Sequence, residues 1–480
     1  MQNKSVRATT IQFNRSIIAL GMLVATPAFA GLIFTTGDLV VSVEGNGFNT
    51  GNYGDNQAAP LGFYQFTTAG TFVNSFILPQ IASGANFAVS GEYGSSSEGS
   101  LQLSGNGKYL TIAGYGINAN TFNANPGAYG PNAANTALAQ SGSVQGQGYT
   151  AVPRVVALID SDGNVDSSTA LYGVFNTNNP RSAYTADGTK IYVSGQGAGN
   201  DHTGGVFYTT RGSSSATPIT GDDTTGKTLS QDTRIVQIVN GQLYVSVDSK
   251  GGSNSARSFI GTLGTAGNPP TSQANSGNGP TQIPSTGTTS TGKFTITAAT
   301  TNGVNSVGQQ INLSPESYFF ADANTLYIAD SGNGKQDSAT THLGAGGLQK
   351  WTLVNGSWVF QYTIAAGLNL VANTGAAGTT GLLGLTGKVV GNQVQLFATS
   401  YVIGDLDPTF LYGLTDILAA TAPAGGEAFS LLASAPTGAS FKGVSFAPTV
   451  DPVPEPSSLA LMGLALVGLM GVSRSKAKSN

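Results

Sequence analysis

Gly188-Thr189-Lys190-Ile191-Tyr192-Val193-Ser194 is the stretch that decides the fold, because its pattern returns along the chain. A turn that contains Gly, Asn or Asp precedes a short run of β-branched or aromatic residues, and the run ends in a small residue. This pattern is typical of a strand with little exposed surface that follows a hairpin turn. The other copies are residues 37–42, 107–113, 241–246, 324–329 and 391–398.

The segments around each copy predict four antiparallel strands per repeat. Residues 316–321 precede the copy at 324–329, and residues 347–351 follow it. A turn at Asn355-Gly356 then leads into a fourth strand-like run. Four antiparallel strands in a repeated unit are the plan of a propeller blade.

The two ends of the repeat region complement each other. Residues 441–448 resemble the first strand of a repeat that lacks a second strand, and residues 39–43 resemble a second strand that lacks a first. If these strands share one blade, the ring closes by pairing between the chain ends and leaves no sheet edge open. The predicted fold class is therefore all-β, a β-propeller of six blades, over residues 31–450.

The spacing of the copies leaves alternatives open. Equivalent positions such as Leu39 and Leu110 lie further apart than the about 40 to 50 residues of common propeller repeats. Long loops rich in Gly, Ser, Thr, Asn and Pro would absorb the difference. A seventh blade near residues 293–307, a sandwich and a β-helix are the alternative architectures.

Composition limits the possible functions. Charged residues make up 9% of the 480 positions, against about 25% in typical globular proteins, and the net charge is −4. The chain therefore has no basic surface for nucleic acid. It has no cysteine, which excludes disulfides, thiolate metal sites and cysteine nucleophiles. A hydrophobic content of 40% is enough to build a core and argues against a disordered chain.

The strongest candidate for a chemical site is Asp160-Ser161-Asp162-Gly163-Asn164-Val165-Asp166. The carboxylates of Asp160, Asp162 and Asp166 could surround a hard cation such as Ca²⁺, in a spacing that partly matches an EF-hand loop. The distal Glu of such a loop is missing, and Gly163 comes too early. A hairpin turn between the third and fourth strands of a blade is the favoured interpretation. Ca²⁺ is thus the one candidate ion, and no other cofactor is predicted.

The two histidines indicate no catalytic centre. His202 and His342 each lie a few residues before a Gly-Gly pair that begins a predicted third strand. We interpret both as loop residues, since two histidines do not make a zinc site without carboxylates placed to help. The chain also lacks a nucleophile elbow with its strand and helix pattern and lacks a phosphate-binding loop. No catalytic residue is predicted.

The amino terminus has the pattern of a signal peptide over residues 1–30. A positively charged region precedes the apolar segment 17–25, and Ala28 and Ala30 are the small residues that signal peptidase requires. Pro27 argues against the alternative, a buried helix over residues 17–30. Cleavage would make Gly31 the first residue of the mature chain.

The carboxy terminus combines three elements of different physical kind. Pro454, Glu455 and Pro456, within a processing segment at 451–456, keep the backbone extended and accessible to an enzyme. An apolar run at 457–472 predicts a transmembrane helix, although at roughly 24 Å it is short for a bilayer core of about 30 Å. The basic tail at 473–480 places this end in the cytoplasm.

This carboxy-terminal arrangement closely resembles the PEP-CTERM sorting signal of Gram-negative bacteria that make extracellular polysaccharide. The resemblance implies processing by an exosortase-type enzyme. It also implies export, with a transient inner-membrane anchor followed by a place in the cell envelope or outside the cell. The same terminal motif occurs in ice-binding proteins, but the Thr-rich segment 286–301 has no sustained register of the kind that ice binding needs.

Three functions compete at this level. The first is a non-catalytic binding or structural propeller in the envelope or the exopolysaccharide matrix, with polysaccharide as a possible partner. The second is a metal-dependent propeller hydrolase of the phytase-like or lactonase-like kind, which the low content of Asp, Glu and His disfavours. The third is ice binding. The sequence favours the first.

Overall fold

A computed structural model describes most of the chain between Phe34 and Thr449. The described residues are 34–131, 137–198, 201–220, 232–247, 259–273, 279–286, 295–298, 309–312, 314–332, 346–371 and 377–449. For 285–286, 295–298 and 309–312 the backbone alone is considered. The signal peptide and the carboxy-terminal segments that the sequence predicts lie outside these ranges.

Almost every regular element is a β-strand. The first strands along the chain are β1 (Leu39–Gly45), β2 (Ala58–Phe66), β3 (Phe72–Ile77), β4 (Ser90–Glu92), β5 (Leu101–Leu103), β6 (Leu110–Tyr115), β7 (Arg154–Ile159), β8 (Val165–Leu171), β9 (Pro180–Thr185), β10 (Lys190–Gly195), β11 (Gly205–Thr210) and β12 (Thr217–Pro218). The remaining strands are β13 (Thr233–Val239), β14 (Gln242–Val247), β15 (Phe259–Leu263), β16 (Thr281–Gln282), β17 (Ser285–Thr286), β18 (Thr295–Ala298), β19 (Gln309–Asn312), β20 (Pro315–Phe320), β21 (Thr325–Asp330), β22 (Gly347–Val354), β23 (Ser357–Ile364), β24 (Thr379–Val390), β25 (Gln393–Val402), β26 (Phe410–Ile417), β27 (Ser430–Ser434) and β28 (Ala439–Phe446). The helical elements are α1 (Ala119–Ala124) and 3₁₀ turns at Asn46–Phe48, Pro126–Ala128 and Leu138–Gln140.

The six copies of the sequence pattern form β1, β6, β10, β14, β21 and β25, as predicted. Each is the second strand of an antiparallel group. In β10, for example, Tyr192 lies opposite Tyr184 on β9 and Tyr208 on β11. The turn before it needs glycine, because Gly188 has a φ of +86° and a Cβ there would lie 2.6 Å from the ring of Tyr109.

Four sheets are separate blades. They are β9–β12, β13–β16, β24–β27 and β20–β23, and in the last of these β17 adds a parallel strand beside β23. In each sheet the chain passes outward from one strand to its neighbour through antiparallel pairs. This agrees with the predicted four-strand plan.

The blade count differs from the predicted six, because the first part of the chain forms one nine-stranded sheet. Within it, β28-β1-β2-β3 and β5-β6-β7-β8 each follow the four-strand order. The short strand β4 joins them, since residues 90–92 pair with residues 58–60 of β2 and Ser90 also pairs with Tyr115 of β6. In the region of the suggested seventh blade the described residues form the two-stranded sheet β18–β19.

The chain ends pair with each other, as the sequence predicts. In the β1–β28 ladder Leu39 lies opposite Phe446 and Val41 opposite Val444. The ring of Phe441 packs 6.2 Å from that of Tyr64 and 5.9 Å from that of Phe66. An apolar core thus supports the backbone pairing that joins the two termini of the described domain.

The first strands surround a common axis. In the order β28, β5, β9, β13, β20, β24 each contacts the next, and β24 contacts β28 again. Buried apolar clusters fill the spaces between neighbouring sheets; one of them contains Tyr184, Val236 and Trp351 from three successive sheets. The protein therefore has an all-β, propeller-like fold, and the side chains nearest the axis come from the first strand of each four-strand group.

Candidate functional site

The candidate site is a cavity of about 160 Å³ at the axis, lined by residues of all six first strands. Side chains alternate between the two faces of a strand, so part of each first strand faces this space. Four of the lining residues are charged, which is unusual for the centre of a fold with so few charges: Arg181 on β9, Arg234 on β13, Glu316 on β20 and Lys442 on β28. Gln102 on β5 adds a polar amide to this lining.

One side of the cavity is a buried chain of ion pairs. Asp232, just before β13, pairs with Arg181 and lies 3.4 Å from Nε of Arg234. Nη1 of Arg234 lies 3.1 Å from Oε2 of Glu316. These contacts join the first strands of three successive blades. Each of these charges is buried beside an opposite charge. Removing one partner would therefore destabilise the protein by more than the complete set stabilises it, because the remaining charge would be buried without a partner.

Lys442 of β28 also lines the cavity, and Glu44 of β1 is its carboxyl partner. Nζ of Lys442 donates a hydrogen bond to the carbonyl of Ser95 and lies 3.8 Å from Oε2 of Glu44. Burial raises the pKa of Glu44 to about 8, against the opposing effect of Lys442. The carboxyl of Glu44 therefore holds its proton to a higher pH than an exposed glutamate does. A Cβ on Gly91 would lie 2.7 Å from Oε1 of Glu44, so this glycine leaves room for the carboxyl.

Two further carboxyls lie beside Glu44 at the same end of the axis. Glu98 Oε1 accepts hydrogen bonds from the hydroxyl of Tyr115 and, at 2.5 Å, from Nδ2 of Asn179. Glu92 Oε2 accepts a hydrogen bond from the backbone of Ala139. Burial is the main reason why the pKa of both carboxyls is raised. These groups thus form a shielded acidic cluster.

Arg154 is the buried cation that interacts with this acidic cluster. Its guanidinium lies 4.6 Å from the ring centre of Tyr115 and donates hydrogen bonds to the carbonyls of Ser141, Val152 and Phe175 at 2.8 to 2.9 Å. It also donates to the carbonyl of Asn178 at 3.2 Å. The side chain thereby holds together the loops that follow β6 and β8. Its main effect is to fix the geometry of the site.

The chemistry available in this cavity is limited by its size. Pockets for small molecules usually measure about 300 to 1,000 Å³, so a cavity of about 160 Å³ is too small for a sugar chain. Most of its charged groups are also engaged with one another. The arrangement is well suited to hold the first strands in register.

The structure places the predicted calcium residues in a hairpin turn between β7 and β8. Asp160 Oδ1 accepts hydrogen bonds from the backbone of Asp162 at 3.0 Å and of Asn164 at 2.9 Å, as expected for a turn. Asp166 is bound instead to Arg211, with Nε 2.5 Å from Oδ2. Among the described residues no three His, Asp or Glu side chains are grouped as metal ligands.

A calcium titration tests whether this turn binds a cation. The hydrogen bonds of Asp160 and the ion pair of Asp166 occupy the oxygens that a cation would need, so we expect saturating Ca²⁺ to leave the melting temperature unchanged. A cation bound only to the folded state would raise it. Differential scanning calorimetry with Ca²⁺ and with chelator decides the matter. A rise that disappears in Asp162→Ala would show a real site.

The other residues singled out in the sequence have no place in the cavity. His202 lies in the loop before β11 with a φ of +60°. His342 lies outside the described residues, as do the processing residues Ala28, Ala30, Pro454, Glu455 and Pro456. No helix within the described ranges is long and apolar enough to cross a membrane. The predicted helix at 457–472 is not among those residues.

The sequence does indicate the charged axial residues, although the pattern of repeats by itself does not single them out. Arg181, Arg234 and Glu316 each occupy the second position of a first strand, and Lys442 occupies the fourth position of β28. In a chain with 9% charged residues, a charge inside a buried strand is rare and usually paired. The partners cannot be identified in this way, because they come from other blades.

The similarity of this chain to solved structures is remote. A PL25 ulvan lyase, a polysaccharide lyase, is 12% identical over 88% of this chain and 87% of that chain, with a TM-score of 0.39. A Hadza microbial sialidase is 11% identical over 83% and 65%, with a TM-score of 0.40. The β-propeller domain of the Trilobed protease from Pyrococcus furiosus is 8% identical over 84% and 96%, with a TM-score of 0.27. Similarities this low transfer no activity.

The carboxy terminus gives the clearest relationship. No curated protein matches the chain. Residues 452–475, which include Pro454, Glu455 and Pro456, match the PEP-CTERM protein-sorting motif. This confirms the resemblance seen in the sequence, and the motif implies export and processing by an exosortase-type enzyme. The chain is thus a propeller-like protein that carries a PEP-CTERM sorting motif at its carboxy terminus.

Proposed function

We propose that this protein is an exported, non-catalytic propeller that binds polysaccharide or builds the matrix at the cell surface. The observation that carries the proposal is the position of the sorting motif. β28 ends at Phe446 and is already paired with β1, whereas the motif begins at residue 452. Removal of the tail would therefore leave the ring of strands intact. The narrow axial cavity and its mutually engaged charges support a structural role for the axis.

The proposal includes the route by which the protein matures. Signal peptidase would remove residues 1–30, and the domain at 31–450 would fold outside the inner membrane. The helix at 457–472 would hold the chain in that membrane, with the basic tail 473–480 in the cytoplasm. An exosortase-type enzyme would then act in the segment 451–456 and release the domain to the envelope or the medium.

We also propose that the nine-stranded sheet acts as two blades, which would give a six-bladed ring. The two groups β28-β1-β2-β3 and β5–β8 each supply one first strand to the axis. Gln102 of β5 supports this count, because its Nε2 donates to the carbonyls of Ala183 at 3.1 Å and Val236 at 2.9 Å, on the next two first strands.

Processing leads to a direct prediction. Protein recovered from the medium of a host with an exosortase-type enzyme should begin at Gly31 and end close to Pro454, because both signals would have been cut. Intact mass and terminal peptides measure this. A host without that enzyme serves as the control and should retain residues 457–472. A secreted product that still contains those residues would contradict the proposed route.

Binding and catalysis are tested together on the processed domain. We expect retention on polysaccharide from the producing envelope, with no turnover of esters, lactones or phosphate esters whether Ca²⁺ or chelator is present. A glycan array and a hydrolase panel measure the two properties. Failure to bind any glycan would remove the binding role, and reproducible turnover would make the protein an enzyme.

A hydrolase is the second candidate, and the acidic cluster favours it. Carboxyls with raised pKa values beside a lysine are common in active sites, and Glu44, Glu92 and Glu98 lie together near Lys442. If the panel shows turnover, Glu98→Gln should abolish it while the fold is kept. Activity that requires metal and is lost in Asp162→Ala would instead point to the turn at 160–166.

A further inference from the structure

Two neighbouring blades meet at a buried amine and carboxyl. Lys350 lies on β22 and Asp416 on β26, which are the third strands of their sheets. Nζ of Lys350 is 2.9 Å from Oδ2 of Asp416, and both side chains have 0% exposure. Nζ also donates to the carbonyl of Ile417 at 2.6 Å. The two groups are therefore held in direct contact in a place that water does not reach.

Two phenols surround the carboxyl. The hydroxyl of Tyr327 donates to Oδ2 of Asp416 at 2.5 Å, and the hydroxyl of Tyr362 lies 2.8 and 2.9 Å from its two oxygens. Such donors stabilise the negative charge that develops on a carboxyl when a nucleophile attacks its carbon. The carboxyl of Asp416 is thus placed to react, as well as to pair.

A second carboxyl, that of Glu427, interacts electrostatically with both Asp416 and Lys350. Oε2 of Glu427 accepts a hydrogen bond from the backbone of Ala424 at 2.8 Å. Its Oε1 is buried, and in the described part of the chain no N–H or O–H donor reaches it. Burial, charge repulsion from Asp416 and a hydrogen bond that the protonated carboxyl of Glu427 donates to Asp416 together raise the pKa of Glu427. Because Glu427 can donate a proton to an oxygen of Asp416, it is placed to act as a general acid and base there.

We propose that Lys350 and Asp416 form an intramolecular isopeptide bond and that Glu427 is the catalytic acid and base of this reaction. The amine, the acid and the proton carrier are all supplied by this chain. The cross-link would join β22 to β26 and so fix two neighbouring blades covalently, in an exported protein that has no cysteine for disulfides. It is independent of the proposed ligand and of catalysis on external substrates.

The reaction balances without a further reagent. In the first step Nζ of Lys350 passes one proton to the carboxyl of Asp416 across their 2.9 Å contact. Nζ then attacks Cγ of Asp416, while Tyr327 and Tyr362 stabilise the oxyanion. Glu427 takes a proton from the nitrogen and gives it to the departing hydroxyl. The Cγ–O bond breaks, one water leaves, and a secondary amide remains; nothing is oxidised or reduced.

A second buried pair in the same protein provides an internal comparison. Lys442 and Glu44 are also shielded, but their charged groups are 3.8 Å apart. Within the described residues no hydrogen-bond donor reaches either oxygen of Glu44. A carboxyl without such donors lacks stabilisation of the oxyanion. We therefore expect Lys442 to remain a free amine.

Mass spectrometry of the exported protein tests the proposal. After denaturation, the intact mass should be smaller than that of the processed sequence by one water. Digestion should yield the peptide of Lys350 joined to the peptide of Asp416, and Lys442 should appear in an ordinary peptide. An intact mass equal to the sequence, with separate peptides for Lys350 and Asp416, would overturn the proposal. So would a water loss mapped to another position.

Variants test the role assigned to each group. Lys350→Arg keeps the positive charge but removes the nucleophilic amine, so the water loss should vanish. Glu427→Gln changes a partly exposed side chain and leaves both reacting residues in place. We expect a folded protein in which the cross-linked fraction falls at least tenfold. The matched control Asp166→Asn changes a carboxyl far from the pair and should cross-link fully. Full cross-linking in Glu427→Gln would overturn its catalytic role. If that variant does not fold, the peptides of the natural protein still decide whether the bond exists.

Discussion

Deleting residues 441–448 should convert the monomer into aggregates. The deletion removes most of β28, so β1 loses the partner that closes the ring and presents a free edge. It also removes Phe441, a fully buried side chain, and Lys442, the cation beside Glu44. Size-exclusion chromatography with light scattering measures the outcome. A monomer with an unchanged melting temperature would show that the fold does not depend on pairing between its ends.

A single substitution tests the same joint without removing the strand. Phe441→Ala should lower the free energy of unfolding by about 3 to 5 kcal/mol, because it leaves a cavity against Tyr64 and Phe66. Phe72→Ala is the matched control. Phe72 is 52% exposed on β3, so its loss should cost much less. Equal effects of the two changes in urea unfolding would contradict the closure argument.

Raising the pH from 5 to 9 should destabilise the protein, and Glu44→Gln should remove the part of this loss that comes from Glu44, while Glu92 and Glu98 contribute to the remainder. The pKa of Glu44 is raised to about 8 in the folded state, from 4.5 in the unfolded chain. Its contribution to stability is therefore complete below pH 4.5 and is lost as the pH rises through 8. At about 1.4 kcal/mol per pKa unit, the shift corresponds to roughly 4 to 5 kcal/mol. Urea unfolding at both pH values measures this difference.

A carboxyl with the opposite shift provides the control. Hydrogen bonds from Ser168 and the ion pair with Arg211 outweigh partial burial and lower the pKa of Asp166 below its usual value. Its contribution is thus present above the unfolded pKa and does not change between pH 5 and 9. Asp166→Asn should alter stability equally at both pH values. If Glu44→Gln did the same, Glu44 would not be protonated in the folded protein.

The buried polar contacts do more to specify which blades lie next to each other than to stabilise the folded state. Desolvating charges at the axis costs about as much as their attraction returns, so the pairs around Arg234 are weak evidence for a stable fold. They do distinguish correct neighbours from wrong ones, because a blade inserted out of order would leave a buried charge without its partner. A propeller built from similar repeats benefits from such a distinction.

The sequence by itself determined the repeated strands, their order and the closure. Turn glycine and β-branched residues act locally, so the copy at 188–194 becomes a hairpin and strand with little help from distant residues. The pairing of residues 39–43 with residues 441–448 could also be predicted from the sequence. The first segment resembles a second strand without a first, and the other resembles a first strand without a second. The PEP-CTERM motif was also readable, since its elements are contiguous.

Tertiary structure alone decided which side chains meet. Nothing local to β4 indicates that it pairs with both β2 and β6 and so merges two groups into one sheet. Arg234 meets Glu316, and Lys350 meets Asp416, across boundaries between blades. These distances depend on how successive sheets are rotated around the axis and on the register within each. Both are set by packing of the whole ring, so no pattern of spacing along the chain encodes them.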